Sequence, residues 1–189
     1  MKGLFMRVIS GTARGTKLNS IESLSTRPTL DRVKEPLFSI IQTHLQDSNV
    51  LDLFAGSGAL GIEALSRGAE HCTFCDKSYE TIKMLKQNLQ KTKFEAKSTI
   101  LVDDYKKCLQ KLNKDKFDII FIDPPYKLDI GVNSIKLILE YDILAKDGII
   151  ILETDEEERE IKELENINLE VYDVRKYGRV NLIFLRERG

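Results

Sequence analysis

Positions 50 to 61 read Val-Leu-Asp-Leu-Phe-Ala-Gly-Ser-Gly-Ala-Leu-Gly, and this stretch decides the fold class. A short apolar run enters a glycine-rich turn, and a helical pattern follows from Ala59 to Arg67, where Gly68 ends it. A strand, a glycine turn and a helix in this order are typical of an open α/β sheet. Glycines in such a turn let the backbone approach a ligand and point N–H groups at it. The stretch therefore predicts a ligand site at the carboxyl end of a strand.

The acid that precedes the glycines indicates which ligand this turn binds. The spacing Gly56-x-Gly58-x-x-Gly61 also fits dinucleotide-binding turns, but Asp52 would repel a pyrophosphate. The same carboxylate suits the ammonium group of a methionine moiety. A second acid, Asp76, ends the next predicted strand and can accept hydrogen bonds from a ribose diol. These residues favour an S-adenosylmethionine site over a nicotinamide site.

A second motif, Asp-Pro-Pro-Tyr at positions 123 to 126, follows the apolar run of residues 117–122. The two prolines end the predicted strand and fix φ near about −65°, so the turn is stiff. We interpret Tyr126 as a stacking residue, and Asp123 and the Pro124 carbonyl as acceptors for an amine on a flat ring. The alternative interpretation is a strand-ending turn with a tyrosine in the core.

Together these motifs resemble those of the bacterial 16S ribosomal RNA guanine-N2 methyltransferases, in particular the small-subunit methyltransferase D type. The matching segments are Met6–Gly11, Ala13–Gly15, Thr26–Thr29, Asp31–Glu35, Asp52–Ala69, Asp123–Tyr126 and Tyr177–Gly178. The resemblance implies an α/β fold of the class I S-adenosylmethionine-dependent methyltransferases, which is Rossmann-like. Its seven-stranded sheet is mostly parallel, with an inserted antiparallel last strand and a small basic N-terminal β-hairpin and helix. It also implies methyl transfer to the exocyclic N2 of guanine 966 in 16S ribosomal RNA.

The expected site residues follow from these motifs and the resemblance. For the cofactor they are Asp52, Phe54, Ala55, Gly56, Ser57, Gly58, Asp76, Asp104 and Asp123, and for catalysis Asp123, Pro124 and Tyr126. Asp104 is assigned to the adenine amino group because it follows the third predicted strand, although helix N-capping explains it nearly as well. Asp123 only accepts hydrogen bonds, which mildly favours guanine, with its adjacent N1–H and N2–H₂ donors, over adenine.

The charge of the chain is distributed unevenly. The net charge is −1, but residues 1–34 hold seven Lys or Arg and two acids. A basic segment on an acidic body is typical of a surface that contacts nucleic acid. We expect phosphate contacts from Arg7, Arg14, Lys17, Arg27 and Arg32. We accordingly divide the chain into an RNA-contacting extension, residues 1–30, and a class I methyltransferase domain, residues 31–189; a solvated charged face is the alternative.

Composition restricts the remaining possibilities. A chain of 189 residues with 42% hydrophobic and 31% charged residues is typical of a globular domain. The sequence has no 18-residue apolar run and no signal peptide, so we expect a monomer in the cytoplasm with no membrane partner.

Cys72 and Cys75, beside His71, suggest a zinc or redox pair. Residues three apart on a strand face opposite ways, however, so we expect no metal.

Periodicity predicts an alternation of strands and helices. We expect a β-hairpin over residues 6–18 and a helix over 30–46 with Leu30, Val33, Leu37, Ile40 and Ile41 on one face. Strands are predicted at 49–54, 71–76, 98–102, 117–123, 148–153, 168–175 and 179–186. Further helices are predicted at 59–67, 79–91, 105–113, 132–144 and 155–164.

Several other functions remain open at this stage. An adenine-N6 methyltransferase acting on nucleic acid shares the Asp-Pro-Pro-Tyr motif, but the 71 residues from Asp52 to Asp123 leave no room for a target-recognition region. A protein glutamine methylase usually has Asn before Pro-Pro-Tyr. A non-enzymatic RNA-binding protein on the same fold is the alternative of a different class. The expected substrate is 16S ribosomal RNA, free or in an assembling small ribosomal subunit.

Overall fold

The structure is a computed structural model that describes residues 6–20, 29–125 and 129–189, with only the backbone described for 29–32. The described helices are α1 (Thr29–Ile40), α2 (Gln42–Leu45), α3 (Ala59–Ser66), α4 (Tyr79–Thr92), α5 (Tyr105–Lys111), α6 (Ile130–Glu140) and α7 (Glu157–Leu164). The described strands are β1 (Asn49–Asp52), β2 (His71–Asp76), β3 (Ser98–Val102), β4 (Phe117–Ile122), β5 (Leu144–Thr154), β6 (Leu169–Tyr177) and β7 (Val180–Glu187). A short 3₁₀ helix, Glu95–Lys97, precedes β3.

The strands form one seven-stranded sheet in the order β3-β2-β1-β4-β5-β7-β6. Strands β1 to β5 pair in parallel, and β7 pairs antiparallel with both β5 and β6. The reversal of strand order between β1 and β4 is the position where open α/β sheets bind ligands. The predicted fold class is confirmed, including the antiparallel insertion of the last strand.

Helices cover both faces of the sheet. One hydrophobic core joins α1, α3 and α4 to the sheet through residues such as Phe38, Ile62 and Leu85. The other core joins α5, α6 and α7 through residues such as Leu109 and Ile135. The central strands are therefore buried on both faces, which explains the continuous apolar runs in their sequences.

The predicted helix over residues 30–46 is two helices. Ile41 separates α1 from α2 with φ −91° and ψ 12°. Pro36 lies inside α1, where it cannot donate a backbone hydrogen bond, yet the helix continues to Ile40. Val33, Leu37 and Ile41 are buried as expected and Ile40 is half-buried, whereas the side chain of Leu30 lies outside the described residues.

The predicted β-hairpin over residues 6–18 is present as an antiparallel turn of the chain without regular strands. A bridge joins Arg7 to Lys17, the Leu18 N–H donates to the Met6 carbonyl at 2.9 Å, and the Val8 N–H donates to the Thr16 carbonyl at 3.0 Å. Val8 and Leu18 are buried in the same core as α1 and α3. Packing against the helices therefore adds to this backbone pairing in holding the segment in place.

Two boundaries differ from expectation by four residues, and at both the backbone takes a left-handed conformation, whereas the other boundaries differ by at most two residues. Helix α6 ends at Glu140 rather than at residue 144, and Asp142 follows with φ 53°. Strand β5 begins at Leu144, earlier than residue 148, because a bulge that contains Asp147 (φ 62°) lets Leu144 pair with Phe117.

No helix in the described part of the chain is long and apolar enough to cross a bilayer.

Candidate functional site

A cavity of about 170 Å³ opens at the carboxyl ends of β1 and β4. Its lining is Met6, Ser20, Asp52, Phe54, Ala55, Gly56, Ser57, Ala59, Leu60, Thr81, Met84 and Asp123. The glycine turn, α4, the residue after β4 and the N-terminal segment each contribute to this wall. Six of the expected cofactor residues are thus brought together, whereas Gly58, Asp76 and Asp104 do not line the cavity.

Asp52 is the buried acid of this cavity, with an exposed fraction of 2%. The Gly61 N–H, in the first turn of α3, donates a hydrogen bond of 3.0 Å to its Oδ2. Burial raises the pKa of Asp52 to about 7; the Gly61 hydrogen bond opposes the rise, and the charge of Asp76 adds to it. Asp52 therefore titrates near neutral pH and is fully charged only in the presence of a compensating cation or at higher pH.

Asp76 lies behind the glycine turn rather than on the cavity wall. Its Oδ2 accepts a hydrogen bond of 2.9 Å from the Gly56 N–H. Its Oδ1 accepts hydrogen bonds from the Ser78 N–H at 2.8 Å and the Thr81 hydroxyl at 3.1 Å. The carboxylate thus fixes both the turn and the start of α4. Each carboxylate oxygen can accept more than one hydrogen bond, so these contacts leave room for a ribose diol, and the predicted contact with it stays a prediction.

Glycine is needed at positions 56 and 58 of the turn for different physical reasons. Gly56 has φ 54°, and a Cβ there would meet no atom within 4 Å. Gly58 has φ 81°, and a Cβ there would lie 2.3 Å from Leu85 Cδ1. Gly56 therefore presents its backbone to the cavity, whereas Gly58 lets the turn pack against α4.

Asp104 is the N-cap of α5. Its Oδ1 accepts hydrogen bonds from the backbone N–H groups of Lys106 at 3.0 Å and Lys107 at 3.3 Å. The capping interpretation thus describes what this side chain does in the structure, and its assignment to an adenine amino group stays a prediction. The neighbouring aromatic pair, Phe54 and Tyr105 with ring centroids 5.7 Å apart, connects α5 to the glycine turn.

Asp123 directly follows β4 and lines the cavity. Because Ile122 pairs with Leu152 in the sheet, Asp123 lies next to Glu153 on the neighbouring strand. Pro124 is half-buried and Pro125 is exposed. The structure thus joins the Asp-Pro-Pro turn to the glycine turn across one cavity. Tyr126 lies outside the described residues, so its stacking role stays a prediction.

Known proteins resemble this chain over almost its whole length. A family model described as Conserved hypothetical protein 95 matches residues 6–186. YlbH of Bacillus subtilis, provisionally named an rRNA methyltransferase, is 40% identical over 187 residues, covering 97% of this chain and 100% of the relative. Ribosomal RNA small subunit methyltransferase D of Haemophilus influenzae is 38% identical over 156 residues, covering 80% of each chain. The chain belongs to the methyltransferase D family.

A solved structure supports the same assignment. The Escherichia coli protein yhhF, provisionally described as a methyltransferase, superimposes with a TM-score of 0.81 at 28% identity, covering 97% of this chain and 98% of the other. The family predicted from the sequence motifs is therefore confirmed.

The expected RNA-contacting residues of this methyltransferase D family member fall into two groups. Arg7, Arg14 and Lys17 are exposed on the N-terminal segment, and Arg7 lies across the bridge from Lys17. Arg27 and the side chain of Arg32 lie outside the described residues. The exposed basic segment adjoins the cavity, because Met6 and Ser20 from its two ends line the cavity wall.

Sequence reasoning missed a buried carboxylate, Glu63, which holds the N-terminal segment on α3. Glu63 is fully buried and accepts hydrogen bonds from the Ile9 N–H at 2.8 Å and the Ser10 N–H at 3.0 Å. It also forms ion pairs with Lys34 at 3.1 Å and Arg67 at 2.8 Å. The available signal was a glutamate within an otherwise apolar helix. Lys34, counted in the basic N-terminal excess, is therefore a buried partner and not part of the exposed face.

The cysteine pair occupies opposite faces of the sheet, as the strand geometry predicted. Cys72 belongs to the core under α3 and α4, and Cys75 belongs to the core under α5. Within residues 6–20, 29–125 and 129–189, no group of three His, Cys, Asp or Glu side chains is arranged to hold a metal ion.

Proposed function

We propose that this protein transfers a methyl group from S-adenosyl-L-methionine to the exocyclic N2 of a guanine in 16S ribosomal RNA, with guanine 966 suggested by resemblance. The observation that carries the proposal is the position of Asp123, which follows β4 and lines the same cavity as Asp52 and the glycine turn. Relatives at 38–40% identity are named as ribosomal RNA methyltransferases, which supports RNA as the substrate.

The cavity fits the cofactor in chemistry. Asp52 provides an acid for an ammonium group, and Gly56 leaves open space for close approach of a ligand. Phe54, Leu60 and Met84 provide apolar walls. When bound, S-adenosyl-L-methionine supplies an electrophilic methyl group on a sulfonium. In this proposal Asp52 and the turn hold the cofactor, with Asp76 supporting the turn from behind.

The residues after β4 are proposed to hold the target base. Asp123 accepts hydrogen bonds from the amine, as does the Pro124 carbonyl, and the stiff proline turn fixes both acceptors before the base arrives. Hydrogen bonds to the amine localise its lone pair on nitrogen and align that nitrogen with the methyl group. Two adjacent N–H donors of guanine suit a carboxylate better than the donor and acceptor of adenine. Tyr126 would stack on the ring, and the base must leave its helix or loop to reach this position.

The basic N-terminal segment is proposed to contact the RNA backbone. Arg7, Arg14 and Lys17 are exposed on residues 6–20, whose two ends, Met6 and Ser20, line the cavity. Arg27 and Arg32 extend the set along the sequence. We also propose that the protein acts as a cytoplasmic monomer on 16S RNA, either free or in an assembling small subunit. In this division of labour, residues 1–30 bind RNA and residues 31–189 perform the transfer.

The test is methyl transfer in vitro followed by nucleoside analysis. Unmethylated 16S RNA and small subunits are incubated with the protein and isotope-labelled cofactor, digested and separated by mass spectrometry. We expect label in N2-methylguanosine, mapped to one position, and no label with Asp123→Ala. Label in N6-methyladenosine would replace the guanine proposal by the adenine alternative. Tight RNA and cofactor binding without transfer to either substrate would favour the non-enzymatic alternative.

A further inference from the structure

A second cavity, of about 130 Å³, adjoins the Pro124–Pro125 turn. Its walls come from that turn, the start of α6, the carboxyl end of β5 and α7. Pro124, Pro125 and Ile130 form an apolar wall, and Thr154 and Glu160 contribute polar groups. Among the described residues it shares no lining with the cofactor cavity, so it is a separate site beside the target-base position.

Glu160 contributes to this cavity a buried carboxyl oxygen without a hydrogen-bond partner among the described residues. Its side chain is only 6% exposed, and its Oε2 has no hydrogen-bond partner within residues 6–20, 29–125 and 129–189. The Arg159 guanidinium is 4.0 Å from Oε1 but bonds at 2.7 Å to Asp129 and 2.6 Å to Glu156. Burial raises the pKa of Glu160, although Thr154 and Arg159 act against the rise. A buried carboxyl oxygen without a partner is costly, so a ligand that donates a hydrogen bond would be stabilised here.

The charge of the cavity restricts the ligand. Five lining residues are acidic, namely Asp129, Glu153, Asp155, Glu156 and Glu160, against the single arginine, Arg159. An anion such as a phosphate would be repelled, so a nucleotide could enter only with its uncharged base, its phosphates staying outside the cavity. A metal ion is also disfavoured, since the described residues hold no cluster of three metal-ligating side chains. A neutral, flat ligand with N–H donors suits both the proline wall and the carboxyl group.

The position of the cavity indicates where such a ligand would come from. Asp123 lines the cofactor cavity, and Pro124, the next residue, lines the second cavity. Glu153, beside Asp123 on β5, also lines the second cavity. A base held at Asp123 would therefore lie directly beside this cavity, because neighbouring strands such as β4 and β5 are about 4.8 Å apart.

We propose that the second cavity binds an amino-bearing nucleobase that is a near neighbour of the methylated base in the substrate RNA, and that Glu160 accepts a hydrogen bond from its exocyclic amine. This inference rests on the proposed function, because it takes RNA as the substrate. It adds a second base-reading site, which would make recognition depend on a nucleotide other than the target. The proline wall supplies the apolar contact to the ring, and Glu160 distinguishes bases with an amine from those without one.

The test measures binding and does not require methyl transfer. Short single-stranded RNAs from the substrate are titrated by fluorescence anisotropy, with each nucleotide replaced in turn by an amine-free analogue, such as inosine for guanosine or purine riboside for adenosine. In the wild type we expect a replacement near the target, but not at it, to weaken binding about tenfold, the size of one lost hydrogen bond. In Glu160→Met, which has no oxygen to accept the hydrogen bond, the same replacement should have no further effect. Glu158→Met, the same change at an exposed position on the same helix, should behave as the wild type.

Two outcomes would overturn the proposal: equal sensitivity to the replacement in the wild type and Glu160→Met, or no sensitive position besides the target. Thermal unfolding checks that Glu160→Met is folded. If it is not, Ile130→Phe fills the cavity from a half-exposed position and should abolish the same sensitivity. Transfer is assayed in the same preparations. Its absence in the wild type would refute the proposed function, whereas the base-dependent binding reports on the cavity alone.

Discussion

At the scale of single residues, four carboxylates around the proposed active site differ through their surroundings. Asp52 is buried and accepts one N–H from α3, so its pKa rises to about 7. Asp76 accepts hydrogen bonds from the glycine turn and from α4. Glu63 is buried, and two cationic side chains balance its charge. Asp123 is half-buried at the cavity wall. Environment therefore separates the acids that organise the fold from those that face a ligand.

The Asp52 carboxyl should make stability depend on pH. Its ordinary pKa of 3.8 rises to about 7 in the folded protein, so between these values the native state binds more protons than the unfolded chain. The free energy of unfolding should therefore fall as pH rises from about 4 to about 7, by roughly 4 kcal/mol at most. Asp52→Asn keeps an acceptor for the Gly61 N–H and should remove this slope, becoming the more stable protein at pH 8.

Although Asp52→Asn should stabilise the fold at pH 8, it should weaken cofactor binding. Asp52→Asn loses the charge proposed to face the ammonium group, so affinity should fall about tenfold or more. Denaturant titrations at pH 5 to 8 and calorimetry with the cofactor measure the two effects. Asp115→Asn, at an exposed position with ordinary backbone angles, is the matched control. An unchanged pH slope in Asp52→Asn would mean that another group titrates.

Asp123 should matter for transfer far more than for cofactor affinity. Asp123→Asn replaces one acceptor by a donor, which meets the N–H donors of guanine unfavourably. We expect the rate of transfer to fall about 100-fold, the scale of a lost alignment, with cofactor affinity nearly unchanged. Single-turnover kinetics and calorimetry on the same preparation separate the two quantities. Near wild-type transfer would remove Asp123 from the catalytic role.

At the scale of elements, the glycine turn depends on what lies behind it. Asp76 holds the Gly56 N–H, and Gly58 allows contact with Leu85 of α4 at a distance that no side chain permits. The turn is therefore fixed by β2 and α4 before a ligand binds. Preorganisation of this kind lowers the entropy that binding must overcome.

Asp76→Ala tests this dependence. It removes the acceptor of the Gly56 and Ser78 N–H groups together with the proposed ribose partner, so cofactor affinity should fall by about 10- to 100-fold. Ser78→Ala removes the side-chain cap of α4, a hydrogen bond of 3.3 Å to the Thr81 N–H, but leaves the glycine turn alone. It should lower the melting temperature without a comparable loss of affinity. Calorimetry and thermal unfolding of both variants decide; equal affinities would place Asp76 outside the cofactor site.

The sequence predicted elements well wherever burial sets the pattern. The strands β2 and β3 and the antiparallel pair β6–β7 lie where apolar periodicity and the family resemblance placed them. The break at Ile41 and the bulge at Asp147 were missed because both depend on single backbone conformations rather than on periodicity. The Glu63 network was missed because three of its four partners, Lys34, Ser10 and Ile9, lie 29 to 54 residues away in the chain. The local signal, a glutamate in an apolar helix with Arg67 four residues later, does not identify these distant partners.

At the scale of the whole molecule, an exposed basic segment adjoins a cavity in an otherwise acidic protein. Because Lys34 is buried, the exposed positive charge of this segment comes from Arg7, Arg14 and Lys17 among the described residues. The segment is attached through Glu63 and through Gly11, whose added Cβ would fall 1.7 Å from the Ser66 carbonyl oxygen. A rigid attachment would hold the basic surface at a fixed distance from Asp123. The division into residues 1–30 and 31–189 stays a functional prediction.

Salt dependence tests the basic surface. If Arg14 and Lys17 contact phosphates, neutralising both to Gln should lower the slope of log affinity against log salt by about 1.4 to 1.8 and leave cofactor affinity unchanged. Lys116→Gln with Lys146→Gln is the matched control, because both are exposed near the amino ends of β4 and β5, away from the carboxyl ends where the cavity opens. Filter binding from low to moderate salt provides the slopes. An unchanged slope, with a lower melting temperature, would make the segment purely structural.

The insertion of β7 between β5 and β6 has a consequence for biosynthesis. The ribosome makes β6 before β7, yet β6 reaches the sheet only through β7. Until residues 180–187 emerge, β5 keeps an open edge beside the growing polypeptide, and β6 has no neighbour to join. The sheet of the nascent chain is therefore incomplete, and β5 is its edge strand. This strand ends at Glu153 and Thr154, beside both cavities. Completion of the binding edge thus waits for the synthesis of β7, after every proposed cofactor residue has already been made.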